Sequence, residues 1–444
     1  MVPNVSEKYL KMKIHILGIC GTFMGGLAQI LIEKGYQVSG TDHQFYSPMS
    51  DQLKDLGITL IEGYQPSMLP SADLYVIGNA LSRGNESVEH ILNQQLPYTS
   101  GPQLLGEILK DRTVIAVSGT HGKTSTSFML AEILESQGID FGYLVGGVSH
   151  SFASSARLGS NPLFVIEADE YDSAFFDKRS KFIHYHPRTF LINNIEFDHA
   201  DIFLNLSEIL KQFHHAVRLV PNHGNVLIHS NEKNASDLIA MGCWSNLYTV
   251  GDSHGIELDL PGNCFTHGDQ SYALSTLPFY GDYNYKNAMM AMFAASLHGV
   301  SIAQSFAALQ SFHGVKRRFE TIYSSEQYKV IDDFAHHPTA IASTIKAATE
   351  LFDNKKIIGV IELGSNTMSS GFHGDALFES AGALDHVLWL NLSNDSPDAN
   401  EFNALEPLLH ELKNILDENS VILIMSNKDS KKISEPIINY IENK

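Results

Sequence analysis

Three times in this 444-residue chain a short apolar run stops at a turn and gives way to a helix-like stretch. The first is "KIHILGICGTFMGGLAQILIEKG", the second "RTVIAVSGTHGKTSTSFMLAEILESQG", the third "YKVIDDFAHHPTAIASTIKAATELF". A strand that feeds a helix through a tight turn is the unit of a doubly wound parallel sheet, because the helix must carry the chain back before the next strand can lie parallel. Further apolar runs supply those next strands: "QVSGTD" and "ADLYVIGNA", then "PLFVIEADE" and "RTFLINNIEFDHAD", then "KKIIGVIEL", "DHVLWLNLS" and "SVILIMSN". The pattern predicts an α/β protein of three domains. A Rossmann-like domain spans 1–110, a central parallel-sheet domain of the P-loop ATPase kind spans 111–318, and a second Rossmann-like domain spans 319–444. In the second unit Phe128, Leu130, Ile133 and Leu134 are expected to line one side of the helix. The polar stretch from Asn231 to Gly281 reads as hairpins and loops.

A chain this long exceeds what one hydrophobic core supports, which agrees with several domains. The formal charge is -20, from 30 basic and 50 acidic residues, and argues against nucleic acid or an anionic membrane as main partner. An anionic ligand must then be held by local donors. The last arginine is Arg318, and none follows it. Cys20, Cys243 and Cys264 are too few and scattered for a disulfide framework or a zinc site, which suits a reducing compartment. No window reaches the ~18 consecutive apolar residues of a membrane span, and the N-terminus lacks a signal-like core. A cytoplasmic protein without membrane insertion is expected.

"VSGTHGKTST" carries the sharpest chemistry. Backbone N–H groups, permissive glycines, a lysine and a metal-binding hydroxyl make a phosphate cradle, and Gly119, Gly122, Lys123 and Thr124 offer them between a strand and a helix. The usual spacing would put glycine where Val117 stands. "FVIEADEYD" ends a strand in Glu167, Asp169 and Glu170, where phosphoryl-transfer enzymes hold a metal; a solvated acidic loop is the plain alternative. His199 lies among Glu196, Asp198 and Asp201, either structural or a ligand of a second metal.

The first glycine turn, with Gly18, Gly21, Gly25 and Gly26, lacks the second glycine of a dinucleotide fingerprint, Cys20 standing there. It still suits a nucleotide diphosphate, and Asp42 either bonds a ribose or caps a turn. Asn284 and Asn287, one helical turn apart, read a base edge or cap their helix. Arg317 and Arg318 form a phosphate clamp at a domain junction, or serve solubility. "DDFAHHPTA" sets carboxylates and histidines at a helix start, where the dipole favours phosphate; a simple N-cap would look alike.

In this order, "GTHGKT", "EADE", "NNIEFDHAD", the asparagine pair, "RRF" and "DDFAHHPTA" resemble the Mur ligases, ATP-dependent enzymes that form amide bonds in peptidoglycan synthesis. The short P-loop is the family's own variant. The run from Glu167 to Phe203, with "HILGICGTFMGGLAQ" and "IGNALSRGN", is most similar to the murein peptide ligases, which join L-alanyl-γ-D-glutamyl-meso-diaminopimelate to UDP-N-acetylmuramate in cell-wall recycling.

The resemblance implies roles residue by residue. Gly119, Thr120, His121, Gly122, Lys123, Thr124 and Ser125 would hold ATP phosphates, and Asn284 and Asn287 would contact adenine. Thr124 with Glu167 would hold one Mg²⁺, and His199, with or without Glu167, a second. Lys123 and Arg318 would spread transition-state charge, His336 or His337 would assist near the γ-phosphate, and Asp333 would orient ribose or metal-bound water. Gly18, Cys20, Gly21, Thr22, Phe23, Met24, Asp42, Asn79 and Arg83 would take the UDP-sugar. Two departures fall in the third domain. Gly364 stands where the resemblance calls for arginine, and Asn427 to Ser434 replaces a glycine-rich end, leaving Lys428, Lys431 and Lys432 to meet the peptide's carboxylates. The rival readings are a UDP-N-acetylmuramate–L-alanine ligase, a non-catalytic UDP-sugar binder and a dinucleotide-dependent oxidoreductase.

Overall fold

The computed structural model describes residues 12–45, 49–200, 202–252, 255–364, 366–369, 372–392 and 401–443. Asp201 lies outside them. Three parallel-type sheets follow one another along the chain. The first orders its strands β3-β2-β1-β4-β5, from β1 (Lys13–Leu17), β2 (Gln37–Asp42), β3 (Thr59–Glu62), β4 (Leu74–Ile77) and β5 (Tyr98–Ser100). All four pairings are parallel. The chain reverses direction beside β1, and the glycine turn between β1 and α1 (Thr22–Glu33) opens at that switch point.

The second sheet runs β14-β13-β12-β6-β9-β7-β8. Its strands are β6 (Thr113–Ser118), β7 (Gly142–Leu144), β8 (Ala156–Arg157), β9 (Leu163–Glu167), β12 (Thr189–Ile192), β13 (Asn225–His229) and β14 (Asn246–Val250), and β10 (Asp172–Ala174) pairs with β11 (Asp177–Ser180) as a hairpin beside it. β6 sits between β9 and β12, so the loop after it has acids from one neighbour and asparagines from the other within reach. The helix after β6, α2 (Lys123–Ser136), is not amphipathic as expected. Thr124 to Ala131, Ile133 and Leu134 are all buried, because α2 lies between the sheet and α3 (Asp282–Ser296). Its hydroxyls at Ser125, Thr126 and Ser127 are therefore inside the protein.

The stretch from Asn231 to Gly281 departs in part from expectation. It does hold a small antiparallel sheet, β15 (Glu257–Asp259), β16 (Cys264–His267) and β17 (Gln270–Ala273), but it begins with a helix, Lys233–Ala240, and gives β14 to the main sheet. That helix shows only Ala235 and Leu238 to the core, too few apolar positions to betray its period.

The third sheet runs β18-β19-β23-β20-β21-β22, from β18 (Glu320–Ser324), β19 (Tyr328–Asp333), β20 (Lys356–Glu362), β21 (His386–Leu390), β22 (Glu401–Phe402) and β23 (Ser420–Met425). β18 is antiparallel to β19 and the rest are parallel. Helix α4 (Pro338–Leu351) follows β19, with His337 as N-cap and proline in its first turn. Among the described residues no helix is long and apolar enough to cross a membrane.

Candidate active site

β6 ends at Ser118, and the turn that follows uses two glycines in conformations L side chains avoid, Gly119 at φ +132° and Gly122 at φ +81°. A Cβ on Gly122 would crowd Asn287 Oδ1 at a backbone angle already strained for any other residue, so the position strongly favours glycine. The loop is stapled to the segment after β12. His121 N–H donates to Asn194 Oδ1 at 2.7 Å, Thr120 N–H to the Asn194 carbonyl at 3.1 Å, and Glu196 N–H to Thr120 Oγ1 at 2.8 Å. Asn193 Nδ2 donates to Thr126 Oγ1 at 2.9 Å, behind the loop. Sequence reasoning missed both asparagines, and the strand-end position of "NN" was the available signal.

Two side chains of the loop face the acids after β9. Lys123 Nζ donates to the Gly119 carbonyl at 2.7 Å and to Glu170 Oε2 at 3.1 Å, and stands 3.9 Å from Asp169. Burial works against its charge, but Glu170, Asp169 and Glu167 together raise its pKa. Thr124 Oγ1 donates to Glu167 Oε1 at 2.8 Å, and Gly146 N–H reaches the other oxygen of that carboxylate at 2.7 Å. A second lysine, unforeseen from "DKRSK", completes the cluster. Lys181 Nζ bonds Asp169 Oδ2 and Tyr171 Oη, each at 3.0 Å, and lies 5.0 Å from the ring of Phe23 in the first glycine turn. Lys181 and Lys123 overcome burial and hold Asp169 below the ordinary carboxylate range.

Glu167 differs. Burial, then the nearby Asp169, push its pKa up despite Lys123 and Thr124. This carboxylate is short of positive charge, and with the Thr124 hydroxyl it forms an all-oxygen donor pair that fits a hard divalent cation such as Mg²⁺. His199 sits in the left-handed region at φ +55°. Its Nε2 is 3.3 Å from Glu170 Oε1, so the carboxylate it meets is Glu170 and not Glu167. Asp198 Oδ1 accepts its backbone N–H at 2.7 Å.

The third sheet enters through the junction. Arg317 and Phe319, both non-glycine residues with positive φ (+60° and +54°), flank Arg318. Arg318 Nη2 donates to Thr124 Oγ1 at 3.2 Å, while Arg317 Nη2 donates to the Ser426 carbonyl at 2.6 Å, just past β23. Both guanidiniums lie over the Phe334 ring, at 4.7 and 5.1 Å respectively. Buried Asp333 holds this bend, accepting from Phe319 N–H at 2.7 Å and Ala335 N–H at 2.8 Å. Burial raises its pKa in spite of Arg318. His336 Nδ1 lies 2.9 Å from the Phe334 carbonyl, and burial brings both His336 and His337 down to about 4, so each is neutral at pH 7.

The remaining candidates are less convergent. Asn284 Nδ2 donates to the Tyr280 carbonyl at 2.9 Å and Asn287 Oδ1 faces Asn193 Nδ2 at 3.4 Å, so both buried amides have protein partners. Around the first turn, Asp42 Oδ2 accepts Cys20 N–H at 2.8 Å and Oδ1 accepts His43 N–H at 2.7 Å, the turn-capping role. Cys20 and Met24 are buried, and Gly18 has φ +79°. Asn79 is exposed, and Arg83 pairs with Glu89 at 2.8 Å in solvent.

Fold and site define a three-domain α/β enzyme. Residues 13–113 match the model of the Mur ligase family catalytic domain, residues 117–295 the Mur ligase middle domain, and residues 317–430 the Mur ligase glutamate ligase domain. The chain belongs to the Mur ligase family and is an ATP-dependent ligase. It is 43% identical, over 97% of its length and 99% of the relative's, to the UDP-N-acetylmuramate–L-alanyl-γ-D-glutamyl-meso-2,6-diaminoheptandioate ligase of Haemophilus influenzae. It is 48% identical to the Escherichia coli ligase of that name over 85% of each chain. The crystal structure of a murein peptide ligase from Psychrobacter arcticus superposes with a TM-score of 0.75 at 38% identity, covering 98% of this chain and 99% of that one.

Proposed function

We propose that this chain joins the tripeptide L-alanyl-γ-D-glutamyl-meso-diaminopimelate to UDP-N-acetylmuramate, with ATP cleaved to ADP and phosphate. The observation that carries the chemistry is a chain of contacts from one glycine turn to the other: Phe23 against Lys181, Lys181 on Asp169, and Asp169 beside Lys123. A nucleotide-sugar at the first turn and a triphosphate at the second would then meet across buried, charged side chains. Likeness over 85% or more of each chain to ligases named for this tripeptide supports the substrate choice.

In this reading the loop N–H groups and Lys123 take the ATP phosphates, Lys123 leaving Glu170 for the γ-phosphate. The muramoyl carboxylate attacks the γ-phosphorus and ADP departs. The peptide's α-amine attacks the carbonyl of the acyl phosphate, and phosphate leaves. Lys123 and Arg318 neutralise charge on the transferring group. Thr124 and Glu167 would hold one Mg²⁺, and His199 with Glu170 a second; when bound these ions supply charge neutralisation at the phosphate oxygens. Asp333 positions Arg318 through the Phe319 N–H, and His336 and His337 stand as neutral hydrogen-bonding groups. Asn284 and Asn287 line the adenine side once their present partners yield. Gly18, Gly21, Thr22, Asp42, Asn79 and Arg83 receive the UDP-sugar. In the third domain a Cβ on Gly364 would stand 2.6 Å from Asn427 Oδ1 and 2.8 Å from Lys428 Cγ, so these two side chains fill the space that an arginine at 364 would need. Lys428 thus brings a cation to the expected peptide side.

The test is ADP release across acceptors. ADP should form only when UDP-N-acetylmuramate, the tripeptide and Mg²⁺ are present together. Turnover with L-alanine and none with tripeptide would instead assign the amino-acid-adding reaction. Nucleotide-sugar binding with no ADP release under any acceptor would assign a binding protein.

A further inference from the structure

At His121, two residues before Lys123 in the loop, three atoms of metal-ligating type converge. Glu196 Oε2 lies 3.2 Å from His121 Nε2 and 3.3 Å from His337 Nδ1, and all three ligand atoms lie within 4.8 Å of one another. Bonds of about 2.0–2.1 Å at a tetrahedral zinc ion set neighbouring donor atoms about 3.3 Å apart. Two edges of such a site are already present.

The hydrogen bonding of His337 leaves this contact incomplete. Its Nε2 faces the Phe197 carbonyl at 3.3 Å and so carries the proton, while Nδ1 accepts Thr339 N–H at 3.3 Å and so carries a lone pair. That lone pair looks at a carboxylate oxygen. A proton on Nδ1 would clash with Thr339 N–H, so Nδ1 and Glu196 Oε2 face one another as two acceptors; a cation between them would take the single Nδ1 lone pair in exchange for the long Thr339 contact. The ring is also fixed by its neighbours, with His121 at 4.8 Å between centroids and His373 packed edge-on at 4.8 Å. Among the described residues His373 Nε2 is buried without a hydrogen-bond partner, which leaves a further nitrogen beside the triad.

We propose that His121, Glu196 and His337 form a binding site for a zinc-type divalent cation, separate from the Mg²⁺ positions, that fastens the third domain to the phosphate loop. The ligands come from two bodies: His121 from the loop after β6, Glu196 from the segment after β12, and His337 from the N-cap of α4. Nitrogen-rich ligation selects zinc over magnesium, which prefers oxygen donors. A filled site holds the two domains together, so zinc raises thermal stability and slows any turnover that needs them to part.

The experiment uses full-length protein stripped of metal by chelation and then titrated with Co²⁺ as a spectroscopic stand-in for Zn²⁺. One equivalent should give the intense visible absorption of four-coordinate cobalt, displaced by Zn²⁺, with a rise in Tm. Glu196→Gln and His337→Asn, the latter keeping an N-capping side chain, should each lose the band and weaken Zn²⁺ binding by more than about 100-fold. His199→Asn, which alters the other cluster, should keep it. Absence of a four-coordinate band in the folded wild type overturns the proposal. So does a band that survives both ligand substitutions in folded variants, or one that disappears in His199→Asn.

Discussion

The two glycine turns, residues 18–26 and 119–125, share one local plan and differ in what surrounds them. Each lies between a central parallel strand and a helix. The second is enclosed, its Lys123 and Thr124 meeting three acids, two asparagines and Arg318 brought in from β9, β12 and the domain junction. The first is held mainly by its own domain, through Asp42, while its polar candidates Asn79 and Arg83 face solvent. A strand-turn-helix pattern therefore specifies a cradle but not its chemistry. Tertiary neighbours decide whether a ligand is only held or also transformed.

Four substitutions probe that contrast, from the largest effect to the smallest. Lys123→Ala should lower kcat by about 10³-fold, the scale for removing a charged transition-state donor. Its nucleotide-sugar affinity, read by calorimetry, should stay within about twofold, since that site belongs to another domain. Equal loss of both would mean that the two turns form one site. Next, Gly122→Ala and Gly18→Ala each place alanine at positive φ, a backbone cost of about 1–2 kcal/mol. Gly18→Ala has nothing nearer than 3.9 Å and should show only that cost in chemical denaturation, whereas Gly122→Ala also meets Asn287 at 2.3 Å and should lose more stability together with ATP affinity. Last, Arg83→Ala should leave Tm unchanged, because its ion pair is exposed. Its effect should be a severalfold weaker UDP-sugar affinity with ATP KM unaltered.

What could be read from the sequence follows the same division. The strands, the glycine turns, the strand-end acids and the Arg317–Arg318 pair are local features, legible as apolar runs ending in special residues. Lys181 was not, because "DKRSK" reads as a solvated charge run until Phe23 from another domain covers it. Asn194 was overlooked for a similar reason: its partner His121 is 73 residues away along the chain. His199 is legible as a candidate with Glu167 as an optional partner, but that Glu170 is the acid it meets requires the direction in which the chain leaves β9. The full burial of α2 was hidden because its enclosing helix, α3, comes more than a hundred residues later.

Neighbouring arginines at the junction grip different bodies, Arg317 the end of β23 and Arg318 the hydroxyl of Thr124. A single peptide linkage separates the two grips, and the left-handed bends on either side leave it little slack. Any sliding of the C-terminal sheet must then tug directly on the threonine at the nucleotide pocket. The connector is a mechanical linkage as well as a tether, coupling the position of the C-terminal sheet to the glycine loop after β6.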